Sequence, residues 1–157
     1  MKTFTDNQGR NWSIVVNVST VKRVRSMLKI DLLSILVDEG KLIEQLNTDD
    51  MLLCDIIYAL VKPDADARQV SDEDFGAAMA GDAIGAATAA FLDELADFFP
   101  EPKRRLLKRL LATLRSEQEK AADKIEAGLS AIITAPLLIP GDSSGNSPAL
   151  SASIPAG

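Results

Sequence analysis

A leucine run sets the strongest limit on how this chain can fold. Leu106, Leu107, Leu110, Leu111 and Leu114 fall within about 140° of one another at 100° per residue, which makes one face of a helix. Ala121, Ile125, Leu129 and Ile132 carry the stripe onward, interrupted by Glu117 and Gln118. Pro102 suits the first turn of such a helix. A helix over residues 102–133 is ~45 Å long, more than one small domain can cover. Its distal half therefore frays or binds a partner. Leu107, Leu111, Leu114, Ile125, Leu129 and Ile132 are the candidate partner-binding residues.

Shorter helical patterns precede it. Leu52, Leu53, Ile56, Ile57 and Leu60 share a face of a helix expected over 49–62, with Thr48 as its N-cap and Pro63 as its stop. Ser19 is a good N-cap for a helix over 19–29, and "KLIEQL" predicts another over 40–46. "IDLLSILVDEG", residues 30–40, fits a short strand or a helical turn equally well. Before these, "KTFT" and "NWSIVVNV" flank a turn-rich "DNQGR" and predict a β-hairpin over 2–17. The fold class is mainly α (α+β), a hairpin packed on about five helices in one domain over 1–135. After Ala135 a Ser-, Pro- and Gly-rich segment predicts a flexible tail over 136–157.

"SDEDFGAAMAGD", residues 71–82, contains the Asp-Phe-Gly that in a protein kinase supplies a magnesium-binding aspartate. The chain has no Gly-rich loop, strand lysine or catalytic loop to go with it. Ser71 followed by Asp74 instead matches a capping box opening a helix over 72–99. Phe75 and Met79 point away from the stripe of Ile84, Phe91, Leu95 and Phe98, so the helix must break near Gly81, with Asp82 capping a second helix.

Composition narrows the chemistry. The chain has no histidine, which removes the commonest general base and the usual zinc ligand. The one cysteine, Cys54, has no basic neighbour and reads as packing rather than nucleophile. "DADARQVSDED" fails as a calcium loop, with Gln69 where glycine is needed and Phe75 where glutamate is needed. No catalytic, metal or cofactor site is expected. A net charge of −6 disfavours nucleic acid, and no apolar run is long enough to span a membrane. The polar N-terminus lacks a signal peptide, so the expected location is cytoplasmic. The charge is unevenly spread: residues 64–99 hold nine acidic side chains against Arg68 alone, and "KRRLLKR" holds five basic ones. Lys22, Arg23 and Lys29 read as a solvated basic face.

Four phrases occur in order: "FTDNQGRNW", "LLCDIIYALVKP", "VSDEDFGAAMAGDAI" and "DELADFFPEPKRRLLKR". Together they resemble the tail assembly chaperones of tailed phages and prophages, over roughly residues 3–120. The resemblance implies a non-catalytic protein that keeps the tape-measure protein soluble during tail assembly. It also implies the tail tube protein as a further partner, location in the host bacterial cytoplasm, and absence from the mature virion. Self-association is open, as are two other readings: another phage structural or regulatory interaction protein, and a small DNA-binding regulator using Lys22, Arg23, Arg25 and Lys29.

Overall fold

The computed structural model describes residues 1–153, with side chains through residue 133. Met1–Leu111 forms one compact unit and Ala112–Gly157 a second. The architecture is mainly helical with an N-terminal hairpin, as the sequence predicts.

Strands β1 (Lys2–Thr5) and β2 (Asn11–Ile14) pair antiparallel, with Phe4 opposite Trp12 and Lys2 opposite Ile14. Side-chain alternation buries Phe4, Trp12 and Ile14 on one face. The turn is organised by Asp6, whose side chain has no exposed surface. Its Oδ1 accepts from the backbone N–H of Gln8 and Arg10 at 2.9 and 3.0 Å. Its Oδ2 accepts from Arg10 Nε at 2.8 Å and Trp12 Nε1 at 2.9 Å. Gly9, at φ 77°, supplies the left-handed residue that closes the turn.

Helix α1 (Val18–Leu28) is capped by Asn17 rather than by the expected Ser19. Asn17 Oδ1 accepts from Thr20 N at 3.0 Å, and Thr20 Oγ1 accepts in return from Asn17 N at 2.9 Å. The reciprocal pair satisfies two backbone donors, which Ser19 alone could not do. Residues 30–40 take the helical-turn reading rather than the strand. They make 3₁₀ turns over Leu32–Leu36 and Asp38–Gly40, and the three-residue period places Leu32 and Ile35 together in the core.

Helix α2 (Lys41–Thr48) ends where Thr48 Oγ1 donates to Glu44 O at 2.9 Å, so the cap of α3 (Asp50–Ala67) falls to Asp49 instead of Thr48. Leu53, Ile56, Ile57 and Leu60 are buried as the sequence predicts. Pro63, however, does not stop α3; it lies inside it. A proline has no N–H, so the carbonyl four residues back, Ala59 O, loses its helical donor. Arg23 supplies one. Its Nη1 donates to Ala59 O at 3.2 Å and to Leu60 O at 3.1 Å, across the α1–α3 packing. Arg23 is therefore committed to α3 and is not part of a solvated face.

Helices α4 (Asp72–Ala77) and α5 (Asp82–Phe98) are separated at Gly81, as the conflict of stripes requires. Ser71 and Asp74 form the predicted capping box, whereas Asp82 sits in the first turn of α5 without capping it. Phe75 is buried against Phe4, Trp12 and Tyr58, with ring centroids 6.5, 5.5 and 5.4 Å away. The Asp-Phe-Gly phenylalanine is a core plug. The hairpin turn is tied to the same segment by Asn7 N to Ala78 O at 3.0 Å and Arg10 Nη2 to Asp74 O at 3.2 Å. Helix α5 packs on β1, and the N-terminal ammonium meets Glu94 at 2.9 Å.

Helix α6 is assigned as Lys103–Ser153. The first unit ends at Leu111, whereas the change of composition after Ala135 suggests one domain over 1–135. The flexible tail expected over 136–157 lies outside the residues described with their side chains.

Candidate functional site

The leucine stripe divides into two parts with different surroundings. Leu107 and Leu111 are buried in the first unit, so they hold its core together and present no surface to a partner. That corrects their place among the contact residues: a side chain already removed from water gains nothing further by docking. Leu114 is half-buried. Ile125, Leu129 and Ile132 are exposed, at 63, 53 and 63% of their full surface, and recur at helical spacing in the second unit. Sequence reasoning missed Ile133, which is exposed beside them, because it falls off the stripe's angular window.

A second apolar exposure lies in the first unit. Leu106 is exposed and, with Pro102, Lys103, Arg105 and Arg109, lines an open recess of about 380 Å³. The stripe angle groups Leu106 with the core leucines; its Cα lies at the edge of that arc, and the structure turns it outward. Lys108 is engaged with Asp97 at 2.6 Å, and that hydrogen bond holds the Asp97 carboxyl below its ordinary value.

Cys54 is half-buried, and burial, followed by the negative charges of Asp50 and Asp55, pushes its thiol up, which disfavours the reactive thiolate. Among the described residues no three acidic or cysteine side chains are grouped to hold a metal ion. Likewise, no helix among them is long and apolar enough to cross a membrane.

Asp55 is raised by burial, then by the neighbouring charges of Asp72 and Asp49. A group whose folded pKa is raised is destabilised in its charged form. Asp55→Asn is therefore expected to stabilise the protein at pH 7 by a few tenths of a kcal/mol, after solvent screening of an exposed carboxylate. The gain should vanish near pH 3, below the unfolded-state value of about 3.9, where the carboxyl is protonated folded and unfolded alike. Denaturant midpoints of the two proteins at both pH values check this.

Of the basic residues on and just after α1, Lys22 is exposed and the other three make contacts within the chain. Arg23 donates to α3, Arg25 pairs with Asp31 at 2.6 Å, and Lys29 Nζ donates to Ser26 O at 3.3 Å. Comparison with protein-family models, curated proteins and solved structures finds no match.

Proposed function

We propose that this chain is a tail assembly chaperone of a tailed phage or prophage, a non-catalytic protein that binds the tape-measure protein and keeps it soluble. The observation that carries the proposal is the exposed apolar row of Ile125, Leu129 and Ile132 on a helix rich in charged residues. An apolar row of this kind, rimmed by charge, suits an amphipathic helix laid along it. The four ordered phrases of the sequence supply the identity of the client. The tail tube protein is a second partner on the same grounds, and the site of action is the host cytoplasm. Arg23 and Arg25 are engaged within the chain, which weighs against the DNA-binding alternative.

The test is co-expression with the tape-measure protein of the same phage. Wild-type chain is expected to raise the soluble fraction of the tape measure severalfold. Ile125→Asp with Leu129→Asp is expected to abolish that effect while leaving helicity and thermal midpoint close to wild type, because both side chains are exposed. A double mutant that still protects the tape measure would overturn the assigned surface. A wild-type chain that never protects it would overturn the function.

A further inference from the structure

The second unit carries a repeat beyond the stripe itself. Leu114, Gln118, Ala121, Ile125, Gly128 and Ile132 are spaced four, three, four, three and four residues apart, the alternation of a coiled-coil seam. Glu117 and Lys124 flank that seam on one side, seven residues apart. Ile125 is exposed, and Glu117 is exposed as well, at 65% of its side-chain surface. In the chain Glu117 pairs with the solvent-exposed Lys120 at 3.4 Å, a contact that contributes little and is readily exchanged.

We infer that residues 114–125 pair with the same residues of a second copy as a short antiparallel coiled coil. The charges select both orientation and register. With Gln118 opposite Ala121 of the second copy, Leu114 faces Ile125 and Glu117 faces Lys124, each contact occurring twice by symmetry. A slip of one heptad in one direction opposes Glu117 to Glu117. A slip in the other direction opposes Lys124 to Lys124. A parallel pair sets Glu117 beside Ala122 and Lys124 beside Leu129, with no opposite charge. Gln118 in the central layers weakens the pair but fixes its register, the usual effect of one polar residue in such a seam. The paired stretch is about 18 Å long, so association is weak and concentration-dependent. Leu129 and Ile132 lie beyond it.

Sedimentation equilibrium of the full chain checks the inference, with circular dichroism confirming that each variant is folded. Wild type should reach a monomer–dimer equilibrium at concentrations on the order of 100 µM. Glu117→Lys alone and Lys124→Glu alone each replace two attractions by two repulsions, and each should weaken the dimer roughly tenfold. The double swap restores opposite charges and should recover wild-type association. A monomer at all concentrations overturns the inference. So does a dimer unmoved by the single swaps, or a double swap no better than the singles. Because these variants keep the apolar row, capture of the tape-measure protein by a non-dimerising variant separates this result from the chaperone proposal.

Discussion

Arg23→Ala is expected to destabilise the protein by about 2–3 kcal/mol, and most of that loss should disappear when Pro63 is also replaced by alanine. The guanidinium supplies donors to the carbonyls of Ala59 and Leu60, on a helix segment that is almost entirely removed from water. Deleting a charged donor and stranding a buried acceptor costs in this range. Pro63→Ala gives the backbone an N–H at position 63, which can close the missing bond to Ala59 O within α3 itself. In that background Arg23→Ala should cost only about 1 kcal/mol, for the remaining contact to Leu60 O and for packing of the aliphatic stem. Urea unfolding of wild type, both singles and the double gives the coupling energy directly. Equal costs in the two backgrounds would show that Arg23 serves α3 in some other way.

The same contact shows where the sequence stopped being legible. The periodicity of Leu53, Ile56, Ile57 and Leu60 places α3 and its buried face correctly. Its end is hidden, because whether Pro63 stops a helix depends on a donor 40 residues earlier in the chain. Cap assignments fail for a related reason. Ser19 and Asn17, or Thr48 and Asp49, are equally good caps by type, and only backbone geometry decides between them. The break at Gly81 was readable because two stripes on one continuous helix contradict each other. For the contact face, the spacing of Ile125, Leu129 and Ile132 was visible in the sequence. That Leu107 and Leu111 belong to the core was not, since one periodic stripe carries no mark where its burial ends.

Asp6 should be the side chain whose loss is felt most. It is fully buried, accepts four hydrogen bonds, and ties the hairpin turn to Trp12 and Arg10. Trp12 is in turn flanked by the guanidinium groups of Arg68 at 4.8 Å and Arg10 at 5.7 Å and packs edge-on to Phe75. Asp6→Ala leaves the indole N–H and Arg10 Nε without their acceptor, and a cost of about 3–5 kcal/mol is expected. Asp6→Asn keeps the shape but turns an amide NH₂ toward one of two donor pairs, so it should cost about 2–3 kcal/mol. The pH dependence distinguishes this role from plain packing. Burial alone pushes the Asp6 carboxyl up, but the hydrogen bonds from Trp12, Arg10 and Gln8 outweigh it and hold the carboxyl below its ordinary value. A depressed folded pKa means that the stabilisation is fully present above the unfolded-state value of about 3.9 and is lost as pH falls through the folded one. Wild type should therefore lose stability as pH falls from about 5 through the carboxylate range, and Asp6→Asn should lose markedly less over the same range. Parallel slopes for the two proteins in a denaturant series across that window would mean that the charge of Asp6 contributes nothing.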